Sequence, residues 1–183
     1  AQALVSHLFV SGVPLEMVQR DAQSFLVGAR RTGFSLAADG AVAQLLLTRE
    51  LRGVSRPEAS EGLPDIASFE AYLSEAGDRL KIVSEWHWIY RMQARFLSGD
   101  YPGVIEAAHR TAGAVHVRSF IEIAEFHFYK ALAHAALATG LSEADRASHF
   151  EAIRDHQMQI DAWAKSSSEN FTNRSLLLAA EVA

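Results

Sequence analysis

Four histidines and two glutamates carry the chemistry this sequence could offer. His127 and His134 are seven residues apart, and so are His149 and His156. On an α-helix that separation puts both side chains on one face, two turns and about 10 Å apart along the axis. Glu122 and Glu125 stand roughly one turn ahead of His127. Imidazoles and carboxylates are metal ligands and general acids or bases, so such a face suggests a metal centre or a proton-transfer site. Ligands two turns apart cannot share one ion unaided. The spacing therefore favours histidines packed or hydrogen-bonded between helices.

Other motifs fail on a required residue. Gly28 and Gly33 have the glycine spacing of a phosphate loop, but Phe34 stands where the lysine is needed. No H-E-x-x-H, G-x-S-x-G, H-R-D or D-F-G segment occurs, so nothing marks a zinc protease, a serine hydrolase or a kinase centre. Asn170-Phe171-Thr172 and Asn173-Arg174-Ser175 fit the glycosylation pattern. Because the opening residues do not read as a secretory leader, both are treated as coincidental. These patterns assign no catalytic, cofactor-binding or metal-binding residue.

Composition narrows the class. The chain of 183 residues is 49% hydrophobic and 21% charged, which suits a folded protein with a sizeable core. A net charge of −5 gives no electrostatic footprint for nucleic acid or an anionic membrane. There is no cysteine, hence no disulfide framework, and a cytoplasmic setting is expected. The longest uncharged run, near Ala131–Ser142, is too short to span a bilayer.

The elements that must position these residues are helices. Apolar residues recur with helical periodicity, and strand alternation is absent. The pattern predicts helices over 1–11, 14–32, 35–52, 67–76, 78–98, 101–115, 117–140, 143–166 and 169–183, with 53–66 as the one extended loop. Gly12, Gly53, Gly99 and Gly140 each close a helix, at separations of 41, 46 and 41. Recurrence in this range marks helix–turn–helix repeats stacked as a solenoid. At "FLSGDYPGVIEAA", Gly99 can end one helix in the left-handed conformation, Asp100 can cap the next, and Pro102 fits its first turn. Ser142 and Asp145 have the spacing of a second N-terminal cap.

Side-chain patterning supports a packed, all-α stack. Trp86, Trp88, Tyr90, Phe96 and Tyr101 are expected to wedge neighbouring helix pairs together rather than line a groove. Phe120, Ala124, His127, Ala131, His134 and Ala138 form a small-residue stripe suited to a central helix. Arg30, Arg31, Arg49 and Arg52 read as cations complementing helix C-termini. Near the end, Phe171, Leu177, Leu178 and Val182 make an apolar face that needs a cover. With Ala1 first and an uncapped helix last, the chain is expected to be a piece of something longer. That last helix is expected to fray or to self-associate.

The tetratricopeptide pattern is the nearest repeat form. Aligned on Gly99-Asp100-Tyr101, it places Trp88, Val104 and Ala108 at its consensus positions, while Arg91, Met92 and Arg95 depart from it. Longer stretches resemble the helical-repeat region of very large bacterial signalling ATPases. They are "EWHWIYRMQARFLSGDYPGVIEAA", "FIEIAEFHFYKALAHAAL", "IRDHQMQIDAWAKSSSENFTNRSLLLAAEVA", "FVSGVPLEMV" and "LLLTRELRG". The resemblance runs from Leu4 to Val182 and is most specific at Glu122–Leu132. Ser167 and Ser168 replace the cysteine and proline of the family's "WA-E-N-C-P-E-N-F", which still leaves a serine able to cap the next helix.

In that family a serine/threonine-kinase-like domain and a P-loop ATPase precede the repeats, and a GAF domain and a sensor histidine kinase follow. The resemblance implies a non-catalytic tetratricopeptide-like module, one unit over 1–183. Its partners would be neighbouring domains of a parent two-component kinase or another protein, with no cofactor, nucleic acid or membrane. The alternatives are the repeat arm of an ATPase-type transcription activator and an all-α metal-binding or enzymatic domain built on the His/Glu faces.

Overall fold

The computed structural model describes residues 2–53, 62–111 and 121–182, and side chains from Ser6 to Glu181 within them. The described residues form nine α-helices and no strand. In order these are α1 (Gln2–Val10), α2 (Leu15–Arg31), α3 (Ser35–Leu51), α4 (Ile66–Ala76), α5 (Lys81–Leu97), α6 (Tyr101–Arg110), α7 (Glu122–Ala138), α8 (Glu143–Ser166) and α9 (Ser168–Val182). A 3-10 turn, Gly77–Leu80, separates α4 from α5, where sequence periodicity predicts that the second helix starts directly at 78.

The helix ends follow the local chemistry. Gly99 takes φ +82°, a left-handed conformation that costs a glycine nothing. Asp100 then accepts the Gly103 amide at 3.0 Å, with Pro102 in the first turn. Gly140 repeats the device at φ +82°, and the Ser142 hydroxyl accepts the Asp145 amide at 3.3 Å. Gly33, set aside with the failed phosphate loop, is such a turn too, at φ +70° between α2 and α3. The 41–46 recurrence therefore registers only some of the turns.

The helices pack with neighbours in sequence and with next-nearest neighbours. α1, α3, α5, α7 and α9 touch in succession, while α2, α6 and α8 lie beside the pairs that flank them. Two apolar clusters result. The larger runs from Val18 and Leu26 of α2 through Leu45, Trp86, Ile89, Met92 and Val104 to Ile123 and Phe126 of α7. The smaller contains Ala131, Leu132 and Ala135 of α7, Ile153 and Ile160 of α8, and Leu178 of α9. Phe96 and Trp163 pack against both.

Several expectations change or move outside view. Arg49 does stand in the last turn of α3, but it is enclosed there, with only 6% of it exposed. Arg52 reaches across to α2, with its Nη1 donating to Gln19 Oε1 at 2.5 Å. Phe96 does wedge helices, its ring lying 5.4 Å from both Tyr101 and Tyr129. Leu178 of the terminal apolar face is fully buried, whereas Leu177 is exposed. Residues 54–61 of the predicted 53–66 loop, the predicted helix ends at 112–115 and 117–120, Phe120 and the Val182 side chain lie outside the described residues.

Candidate functional site

α7 is central because it touches α5, α6, α8 and α9, and both polar faces singled out from the sequence lie on it. The first face carries the carboxylates. Glu122 is 3% exposed and its Oε1 accepts two hydroxyls, Ser6 Oγ at 2.6 Å and Tyr90 OH at 2.9 Å. Gln44 Nε2 donates to Ser6 Oγ at 2.7 Å and to Tyr90 OH at 3.3 Å. One turn on, Glu125 Oε2 accepts Gln93 Nε2 at 3.0 Å, and its Oε1 pairs with Arg174 from α9. Five helices, α1, α3, α5, α7 and α9, are thereby joined through two carboxylates.

Burial sets the electrostatics of this clamp. Removing a carboxyl from water disfavours its charged form, so Glu125 is raised above the ordinary glutamate value, and Arg174 only partly offsets that. Tyr90, buried and facing Glu122, is held well above the usual phenol range. A cavity of about 20 Å³ lies against the clamp beside Phe9, Val18, Leu47 and Gln93, large enough for one water. Glu122, Glu125 and Tyr90 therefore hold helices together through buried hydrogen bonds.

The second face carries the imidazoles. His127 and His134 do not act with each other; each meets a histidine of α8. His127 Nδ1 lies 2.8 Å from His156 Nδ1, and His134 Nδ1 lies 3.0 Å from His149 Nδ1. Moving seven residues forward along α7 moves seven backward along α8, so the two pairs are rungs between antiparallel helices. At such distances one ring donates an Nδ1–H and its partner accepts, which requires opposite tautomers in the neutral pair. Phe126 and Trp163 close edge-on around the inner rung, their rings 5.3 and 5.5 Å from that of His127.

Desolvation again disfavours charge, now with the opposite sign. It pushes His127 down to about 4 and His156 down to about 3, aided by the Lys130 ammonium. His134 falls to about 4 through burial first, then repulsion from His149, Lys130 and His109. Burial thus favours the neutral form of His127, His134 and His156 at pH 7. The histidines meet in twos: among the described residues, no group of three or more His, Asp or Glu side chains is placed to hold a metal ion.

The sequence singles out all six of these residues but not their partners. Ser6, Gln44, Tyr90, Gln93 and Arg174 come from four other helices, at separations of 32 to 116 residues from the glutamates. The available signal is a polar residue inside an apolar run, as Gln44 is in "AVAQLLL". A third polar cluster, also unforeseen, ties α4 and α3 to α5: His87 bonds Glu70 at 3.2 Å, and Arg91 pairs with Glu50. The His87 bond is the main cause holding Glu70 below the usual carboxylate range. Comparison of the chain with protein-family models, with curated proteins and with solved structures found no match.

Proposed function

We propose that this chain is a non-catalytic helical module that docks or couples domains within a larger signalling protein of the ATPase and histidine-kinase kind. Its helix pairs would stack in tetratricopeptide-like fashion in the cytoplasm, and neighbouring domains or a protein partner would bind its surface. The observation that carries this reading is the use made of the buried polar groups. Glu122 and Glu125 bond to three other helices, Gln44 ties in a fourth through Ser6 and Tyr90, and the histidines bond α7 to α8, which builds a continuous mechanical unit. The succession of α1, α3, α5, α7 and α9 beside α2, α6 and α8 supports the stacked arrangement.

The test is made in the full chain that contains this segment. A proline placed at Ala133 would break α7 between His127 and His134, that is, between the two histidine pairs. The coupling role predicts that stimulus-dependent autophosphorylation is lost while basal ATP hydrolysis by the rest of the protein persists. An unaltered stimulus response would contradict the reading, as would ATP turnover by the isolated segment that survives controls for contaminants.

A further inference from the structure

We propose that the rungs His127–His156 and His134–His149 form an acid-released latch that holds α8 and α9 on α7 and frees them as a unit when the pH falls. The proposal stands on geometry. Each rung has two facing Nδ1 atoms 2.8 or 3.0 Å apart, room for one proton between them and no more. A first extra proton can enter at an outward Nε2. A second must go to the accepting Nδ1, and it replaces the hydrogen bond with two donors facing each other.

The groups around the rungs do not neutralise that charge. α7 contributes Lys130 and α6 contributes His109, and both repel a proton on the rings. α8 contributes the partner histidines and Trp163. From α9 come Phe171, its ring tilted against Trp163 at 5.6 Å, and Arg174, which is taken up by Glu125. No carboxylate is among the groups acting on His127, His134 or His156.

What the latch holds is the smaller apolar cluster, in which α8 and α9 contribute Ile153, Ile160 and Leu178. α8 and α9 are held to the other described helices chiefly through α7, and elements anchored on one neighbour can open as local units before a chain unfolds. On opening, His127, His134 and His156 regain an ordinary value near 6.5. Above that pH neither state binds the extra protons and the arm is secure. Below it the open arm binds more protons than the closed one, so the closed state is progressively lost as the pH falls from about 6.5 towards about 4. Each of the three suppressed imidazoles multiplies the open population by about ten at one unit below 6.5, or roughly a thousandfold together.

Hydrogen exchange followed by mass spectrometry at pH 7.5 and 5.5, corrected for the intrinsic exchange rate, tests this. Protection of α8 and α9 should fall by roughly a thousandfold, while that of α3 and α5 stays within a few-fold. The double variant H127L/H156L should cut the fall in α8 and α9 to about tenfold, because only His134 remains to drive it. If that variant does not fold, H134Q/H149Q at the outer, half-exposed rung serves and should leave about a hundredfold. Equal loss of protection in α5 and α8, no loss in either, or full pH dependence in a folded double variant would overturn the proposal.

Discussion

α7 buries carboxylates that bond to α1, α5 and α9, and imidazoles on the side that meets α8. Both sets leave water, and in both the loss of water disfavours the charged form. Because that form is an anion in one case and a cation in the other, the same burial gives opposite responses to acid. Glu125 is raised, so its cost to the fold is relieved as the pH falls through its folded value and returns as the pH rises. His127, His134 and His156 are lowered, so stability present above about 6.5 is lost on acidification. One helix thus joins a body that tolerates mild acid to an arm that does not.

The largest expected effect comes from breaking the clamp. Glu122→Ala removes the acceptor shared by Ser6 and Tyr90 and leaves two buried hydroxyls beside a new void. Leaving two buried hydroxyls short of an acceptor beside a void costs about 3–5 kcal/mol. Urea denaturation should show the midpoint falling for the body and the arm together. Leu178→Ala acts on the other side. Its side chain is fully buried in the small cluster, and truncation there costs about 3 kcal/mol. That loss should be confined to exchange in α8 and α9, with α5 protected as before. A global loss would show that the two regions do not open separately.

Smaller changes sharpen the contrast. Tyr90→Phe deletes one hydroxyl from Glu122 but keeps the ring, and should lower stability by about 1–2 kcal/mol with an unchanged denaturant slope. Gly99→Ala should cost about 1 kcal/mol, read as a small drop in melting temperature. The cause is backbone strain at φ +82°, since a Cβ there would meet nothing within 4 Å.

The parts of this design legible in the sequence are those that act over short range. Gly99, Asp100 and Pro102 specify a turn within four residues, and Ser142 caps α8 by the same local logic. The helical face shared by His127 and His134 follows from spacing alone. Their pairing with α8 does not, because it depends on the register at which two antiparallel helices meet, and that register is set by Ala131, Ala135, Ile153 and Ile160 packing together. Gln93 and Arg174 illustrate the same limit for Glu125: nothing near Glu125 in sequence indicates that its partners sit 32 and 49 residues away. Arg49 reads as a cation at a helix C-terminus, which it is, but its enclosure depends on the fold.

The most direct measurement is a titration of the individual histidines and of Glu125 by nuclear magnetic resonance on the isotope-labelled chain. Opposite shifts from shared burial predict that the Glu125 carboxyl titrates above the ordinary glutamate value, while His127 and His134 stay neutral far below 6.5, towards about 4, for as long as α8 remains closed. Histidines titrating near 6.5 with the α8 resonances unmoved, or a Glu125 shifted downward, would contradict it.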